Sequence, residues 1–571
     1  MRKLEIISVS ALLLFFAGIC FKSQKWVSVT IDEFAHLPAG YYYWLTGDFQ
    51  IYHKNPPLVK MIFSLPLLFE KPNAERYLNR LPKSAWYTWL YATDFMLKNW
   101  DHYIKIFESA RVMVILMGMV LGLLVYLYSR SLYGKAGAFL SLLVYIFCPN
   151  MIAHSQMATV DTGASLFIFI AVVSLVFYLK NPSWKRAMLA GVGLGLAQLS
   201  KFSSIALLPF YAIAPLFLLY PFRTEQFSLK RLSLRAVQVG IMILIWIFMV
   251  CACYRFQEVF KKPRNIDLRS HWMKRIQKYT ANLPAPFPQT YLLGMDRQME
   301  DVEQGEFANY LLGKWYNGVD HRYFLIALLV KVPLPVQILF LLSLFLSLSV
   351  KKSRLKFLPE ELLILAIIIW IVFLFSFRNS LQIGVRYLLP IFPLAHVLIG
   401  RIGKALEGAS FLKKVIIAGL FIWLAGESLW IYPHYLSYFN ELAGGPKNGH
   451  KVLLDSNLDW GQDLPALSDF MKKNKIDKIE LWYFGHASPE LYGINYQLLG
   501  QPPRLKYAAI SAQFYYYTAT EFYYPLLYYQ PERTLREHKD PVTLSKNLRL
   551  PYLSKKPIAT CGYSILVFEN D

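Results

Sequence analysis

Residues Thr30–Lys60 read TIDEFAHLPAGYYYWLTGDFQIYHKNPPLVK. The stretch opens on two adjacent carboxylates, Asp32 and Glu33, a few residues past the apolar run Glu5–Phe21. It closes on Tyr52-His53-Lys54-Asn55-Pro56-Pro57, which leads back into apolar sequence. Acids, a cation and aromatics crowded between apolar runs predict a loop that lies against a bilayer surface and forms the floor of an active site.

Outward from that loop, the 571-residue chain is 55% hydrophobic and 16% aromatic. Several apolar runs reach the roughly 17–25 residues that cross a bilayer, so the chain reads as a polytopic α-helical membrane protein. A formal charge of +23 would suggest nucleic acid for a soluble chain. Here much of the excess lies in short Lys/Arg loops between apolar runs, which the positive-inside bias explains, and no nucleic-acid partner is expected. Of the five cysteines, Cys20, Cys148, Cys251 and Cys253 fall in apolar runs and Cys561 stands alone in the polar tail. No disulfide framework or metal spacing follows from them. The first apolar run lacks a small-residue cleavage site and is followed by Lys22, Gln24 and Lys25; it reads as a retained helix rather than a signal peptide.

The pattern predicts about eleven transmembrane helices, starting with 6–21, 112–128, 136–148, 163–179, 187–199, 204–219 and 237–254. Those that follow are 323–350, 362–377, one ending near Arg401, and 415–432. Arg2 and Lys3 place the N-terminus inside, as do Arg130, Lys135, Lys180, Lys185, Arg186, Arg223, Arg231, Lys351, Lys352, Arg354 and Lys356 for their loops. Residues 1–432 then form a transmembrane domain whose first outer loop, 22–111, carries interfacial helices. Residues 433–571 form a small α/β domain on the outer face. Lys331-Val332-Pro333-Leu334-Pro335 predicts a kink, and Gly191, Gly193 and Gly195 predict close helix packing. The aromatic run Gln513–Tyr529 reads as strands on the membrane belt, with sugar stacking as a second reading.

This topology puts Asp32, Lys54, Asp161, Lys201 and Arg386 at the outer ends of helices. Each has an ordinary explanation: Asp32 and Glu33 as solvated loop acids, Asp161 as a helix N-cap, Lys201 as a snorkelling lysine. Their convergence on one side favours chemistry instead. A carboxylate can take an acceptor's proton, while cations hold a phosphate and the charge growing on it as it leaves; arginine adds a bidentate contact. Glu33, His36, His53 and His434 could approach a divalent metal, although no spacing is diagnostic of one. No Walker or dinucleotide glycine motif is present.

Several segments recur, in this order, in one superfamily: Ile31-Asp32-Glu33, Ala153-His154 to Asp161, Gly193-Leu194-Gly195-Leu196-Ala197-Gln198-Leu199-Ser200-Lys201, Tyr310-Leu311-Leu312-Gly313, Lys331 to Pro335 and Gly384-Val385-Arg386-Tyr387. With Tyr438-Phe439-Asn440-Glu441 and the Asp455–Leu464 segment, the chain resembles the GT-C membrane glycosyltransferases of the dolichyl-phosphate-mannose–protein mannosyltransferase type. Its tail looks like their bacterial, phospholipid carrier-dependent branch. The resemblance implies a GT-C-like bundle with juxtamembrane helices around the site, a polyprenyl-phosphate-linked sugar as donor, and inversion at the anomeric centre. It places the base on Asp32, with Glu33 and Asp161 shaping the acceptor site, and donor-phosphate contacts on Lys54, Lys201 and Arg386. His53-Lys54-Asn55-Pro56-Pro57 departs from the commoner Glu-Lys-Pro form. It also implies a plasma (inner) membrane protein working on its extracytoplasmic face, with the sugar and the acceptor (protein, lipid or cell-wall glycan) left open. A transporter or flippase of lipid-linked sugars, or a surface scaffold, would account for the helices in other ways.

Overall fold

A computed structural model describes residues 3–74, 87–220, 222, 228–305, 308–348, 357–499, 504–518, 527–528, 542–543 and 555–570. Arg2, Arg223, Lys351, Lys352, Arg354 and Lys356, used above to orient the chain, lie outside them. Among the described residues, five helices are long and apolar enough to cross a membrane: Lys3–Trp26, Trp100–Phe147, Asp161–Lys180, Leu229–Cys253 and Pro359–Arg378. A sixth span arises if Tyr323–Lys331 and Leu334–Leu346, bent by 108°, are taken as one. The protein is thus a multi-pass membrane protein.

Length and composition alone count fewer spans among the described residues than the eleven expected, because some expected helices are joined end to end, divided or short. The spans expected at 112–128 and 136–148 are two helices within Tyr103–Phe147, parted at Gly134, whose φ of 74° and ψ of −165° leave the helical path. The span expected at 204–219 is divided into Phe202–Leu207, Leu208–Ala212 and Ala214–Leu219, with Pro209 and Pro215 inside the first turns of the latter two. The glycine-rich helix Trp184–Gln198 has 15 residues. It is short yet tightly set: a Cβ on Gly191 would lie 2.9 Å from Met242 Cα, and one on Gly193 would lie 3.1 Å from Ala171 Cα. Small residues here let three helices meet at backbone distance.

Ion pairs pin the helix ends remote from Asp161. Lys180 pairs with Glu360 at 2.6 Å, Arg401 with Glu361, and Arg130 with Glu5 at 2.5 Å. Tyr133 and Tyr126 donate to Glu361 and Glu5. At the bent pair, backbone carbonyls freed near Pro333 are taken up locally. Asn440 Nδ2 donates to Leu329 O and Val332 O at 2.7 Å, and Gln337 Nε2 donates to the same two oxygens at 2.8 Å. Such satisfaction is what allows a broken helix within a membrane bundle.

The long polar segment after the first span folds as Ile31–Thr46, Leu58–Phe63, Leu67–Glu70 and Tyr87–Lys98. Residues 433–463 are woven into the helix ends on the Asp32 side: Ser28 N donates to Gln462 O, Ile31 N to Trp460 O and Asn440 N to Val330 O. Beyond them, helix Leu464–Lys473 packs on a five-stranded sheet ordered Tyr496–Leu498, Ile479–Trp482, Tyr507–Ser511, Ile565–Glu569, Ala559–Cys561. The first two pairings are parallel and the last two antiparallel. The described start of the aromatic run is the helix Ala512–Thr518 rather than a strand. Phe514 stacks on Trp482, Tyr515 on Phe568 and Tyr516 on His450, so these rings are internal packing. Residues 519–526 and Tyr529 lie outside the described residues.

Candidate active site

The helix Ile31–Thr46 begins with a capping box. Thr30 N and Oγ1 both donate to Glu33 Oε2, at 3.0 and 2.9 Å. Asp32 and Glu33 fall in its first turn, where the helix dipole favours negative charge. The box turns the two neighbours in different directions. Glu33 is fully buried and accepts from Arg111 Nε and Nη2 at 2.7 and 2.8 Å and from Ala158 N at 2.6 Å. Burial alone would raise its pKa, but the Arg111 charge and these donors hold it below the usual carboxylate value. Arg111 also donates to the carbonyls of Gln24, Val27 and Ser28. Every oxygen of Glu33 is therefore committed to holding the first loop on the Tyr103–Phe147 helix, which departs from an acceptor-shaping role.

Asp32, with 22% of its side chain exposed, faces Arg386 Nη1 at 2.5 Å. The same nitrogen is 3.8 Å from Asp161 Oδ2. Asp161 is the first residue of its helix, not the cap, which is Val160. Its Oδ1 accepts from Lys201 Nζ at 2.6 Å, and Thr159 Oγ1 donates to Oδ2 at 3.3 Å. Lys201 does not snorkel; it is 9% exposed, extended past the end of the Trp184–Gln198 helix, with Nζ 4.9 Å from the Tyr387 ring centre. The Arg386 guanidinium lies 4.3 Å from the Trp460 ring centre. Burial disfavours its charge, but Asp32 and Asp161 more than offset this and keep it protonated.

Neutral imidazoles border the four charges. Burial pushes His36 and His154 down to about 4, so both are uncharged at neutral pH. A ring nitrogen of His36 is 3.3 Å from the Tyr52 hydroxyl. Lys60, fully buried, donates to Tyr43 Oη, Tyr52 O and Asn55 O, each at 2.8 Å, and so fixes the 52–55 turn. Lys54 is not brought to Arg386 and Lys201; it projects to Asp301 of the segment that follows the Leu229–Cys253 span, at 2.7 Å, and stays 34% exposed. Gly294 of that segment packs on His53, where a Cβ would lie 2.1 Å from the carbonyl oxygen.

Among the described residues, no three His, Cys, Asp or Glu side chains converge as a metal-ligand set. Glu33 is spent on Arg111, His36 lies on Tyr52, His53 is 3.2 Å from Gln50 O, and His434 pairs with Asp463 at 3.3 Å.

Sequence reasoning brought Asp32, Asp161, Lys201 and Arg386 to one side, and the structure joins them by contact. It missed Arg111, whose signal is a charge at the threshold of an apolar run. It also missed Asp301, 247 positions from its partner, and the part of Trp460. Asp455, near enough to Asp32 and Arg386 to feel both charges, is raised to about 7, mainly by burial. Chemically, one accessible carboxylate beside two cations and a buried acid can accept a proton and receive an anion in the same place.

No curated protein matches the chain. Among solved structures it is similar to ArnT from Cupriavidus metallidurans bound to undecaprenyl phosphate, at 14% identity and a TM-score of 0.48, covering 99% of this chain and 98% of that one. It is also similar to the archaeal oligosaccharyltransferase AglB from Archaeoglobus fulgidus in complex with an inhibitory peptide and a dolichol-phosphate. There the identity is 13% and the TM-score 0.45, covering 90% of this chain and 71% of that one. Residues 103–254, which carry Asp161 and Lys201, match the family model described as dolichyl-phosphate-mannose-protein mannosyltransferase.

Proposed function

We propose that this chain is an inverting membrane glycosyltransferase that moves one sugar from a polyprenyl-phosphate carrier to an acceptor on the outer face of the plasma membrane. The observation that carries the reading is Asp32, an accessible carboxylate beside the buried Arg386–Asp161–Lys201 cluster. Phosphate binding at Arg386 replaces Asp32 as its partner and frees the carboxylate to work as a base. The acceptor oxygen then attacks the anomeric carbon and Asp32 Oδ takes its proton. The bond from that carbon to the phosphate oxygen breaks, and its electron pair leaves with the polyprenyl phosphate. The leaving phosphate is already anionic, so Arg386 and Lys201 stabilise it better than a proton donor would. One displacement with one base inverts the centre and needs no covalent enzyme intermediate. Asp161 holds the two cations in place, Glu33 positions the loop that carries Asp32, and Lys54 meets the carrier headgroup after release from Asp301.

The 108° break at Pro333 is the one feature that favours a transporter, since broken helices line many transport sites. Its freed carbonyls are already occupied by Asn440 and Gln337, which leaves little there for a substrate. The test follows labelled sugar from a native lipid extract in membranes holding wild type or Asp32→Asn. Label reaching a new acceptor with wild type alone supports transfer and identifies the acceptor class. Movement of lipid-linked sugar between leaflets by both proteins, with no new product, rejects it.

A further inference from the structure

The second outer segment builds a small lobe that the proposed reaction does not use. Ile266, Leu268 and Met273 are buried against Leu292, Leu293, Met295 and Met299. Helix His271–Thr280 is fixed on this core at its start: Asp296 accepts from Arg269 N, Ser270 N and Ser270 Oγ, and Glu303 from His271 N and Trp272 N. Gln277 Nε2 anchors its inner side on the carbonyls of Pro263 and Ile266, at 2.6 and 3.0 Å. So held, the helix turns Trp272, Ile276 and Tyr279 outward, and Leu283 continues the stripe; all four are between 45% and 77% exposed. Trp272, Ile276 and Tyr279, spaced by four and three residues, share one helical face, and Leu283 follows in the turn beyond the helix.

Two observations identify what covers that face. Phe248, on the exposed flank of the Leu229–Cys253 span, touches Phe256 with ring centres 5.8 Å apart, and Phe256 and Phe260 are exposed in turn. Exposed rings thus lead from the membrane span into the lobe, beside the exposed Arg255, Gln257 and Glu258 of the turn. Basic residues also crowd the lobe: from Arg255 to Leu283 there are eight Lys/Arg against two acids, Glu258 and Asp267. Lys274, Arg275 and Lys278 flank the stripe, exposed and without an acidic partner among the described residues. A basic helix with Trp, Ile and Tyr on one face is the signature of a segment lying in the headgroup plane.

We infer that the 255–283 lobe docks on the leaflet beside the Leu229–Cys253 span, with the Trp272–Ile276–Tyr279–Leu283 stripe in the acyl boundary and Lys274, Arg275 and Lys278 on anionic phospholipid headgroups. Charge complementarity and continuity with the lipid-facing span favour this occupant over a second copy or another protein.

The test uses the full chain in nanodiscs of phosphatidylcholine with and without phosphatidylglycerol, carrying bimane at Tyr279→Cys or, as a water-exposed control, at Lys472→Cys. A nitroxide lipid labelled near its headgroup is expected to quench position 279 and not position 472. Neutral aqueous acrylamide is expected to reach 279 several-fold less than 472. Phosphatidylglycerol is expected to strengthen both effects, and the Lys274→Glu/Arg275→Glu/Lys278→Glu variant, with its unfolding temperature as a fold control, to lose that increment. Equal acrylamide access at both positions overturns the docking. Exclusion of both quenchers from 279 assigns the stripe to a protein neighbour and overturns it equally. Insertion indifferent to phosphatidylglycerol overturns the headgroup contact.

Discussion

Arg386 Nη1 lies 2.5 Å from Asp32 and 3.8 Å from Asp161, so one guanidinium nitrogen serves two carboxylates from different helices. Asp161 has a second cation in Lys201, at 2.6 Å, whereas among the described residues no second cation pairs with Asp32. The two acids are therefore unequal: Asp161 keeps a partner when Arg386 turns to an anion, and Asp32 does not.

Under the proposed reaction, that inequality assigns the base to Asp32. Asp32→Asn should lower the transfer rate by about 10²- to 10⁴-fold, the range for loss of a positioned base, with donor KM changed little. Single-turnover transfer in nanodiscs at saturating donor measures this, and near-normal turnover of the variant would defeat the assignment.

Arg386→Lys should act on the opposite parameter. A lysine keeps the charge but loses the planar fork and its stacking under Trp460, so donor KM should rise by at least tenfold, taking one lost charge-assisted bond as about 1.5–3 kcal/mol. A donor titration decides it; an unchanged KM would mean that Arg386 does not meet the phosphate.

The Asp161–Lys201 pair separates structure from chemistry. Lys201→Met leaves a buried carboxylate with less compensation and should cost on the order of 3–5 kcal/mol. Adding Asp161→Asn should return much of that stability without returning transfer. Unfolding in detergent and label transfer, measured on the same two proteins, check both halves; recovery of activity in the double variant would make the pair purely structural.

Glu33→Gln should damage stability first, again by about 3–5 kcal/mol, because Arg111 stays buried without its charge partner. The pH dependence has a definite sign. The Glu33 pKa is lowered on folding, since Arg111 outweighs burial. Its contribution is therefore present above the ordinary carboxylate value and lost as pH falls through the lower folded value. Wild type should lose stability steeply on acidification, and the variant should start lower and fall less. Parallel pH profiles would contradict this.

At Asp459 the sign reverses. Burial, with no cation beside it, raises this carboxyl to about 8, so stability is greatest below the ordinary carboxylate value and falls as pH rises toward the folded value. Hydrogen exchange in 455–463, corrected for its intrinsic pH dependence, should quicken between about pH 5 and 8. Asp459→Asn should flatten the trend, and a slope unchanged by this substitution would count against it.

Position along apolar runs was enough to place Asp32, Asp161, Lys201 and Arg386 together, because the end of a helix fixes the height of a side chain in the membrane. Direction was not readable in the same way. Asp32 and Glu33 are adjacent, yet a capping box and Arg111 send one to the cluster and the other to a buried lock. Lys54 was placed by its proximity to the loop, but its carboxylate partner comes from residue 301. Gly134 parts the two spans expected on either side of it, whereas Pro209 and Pro215 divide an apolar run expected as one span. Trp460 was legible only as part of a recurring segment, because nothing in its own neighbourhood announces a ring over an arginine 74 positions earlier.

The backbone bonds from Ser28 and Ile31 to Gln462 and Trp460 also set a timetable. At ribosomal speeds of about 5–20 residues per second, the roughly 430 residues between these partners take on the order of 20–90 s to synthesise. Throughout that interval the segment bearing Asp32 lacks the 460–462 segment that bonds to it, and Arg386, once made, still lacks its ring. The contacts that hold the start of the Asp32 helix and cover Arg386 therefore form only after residues 460–462 have been made.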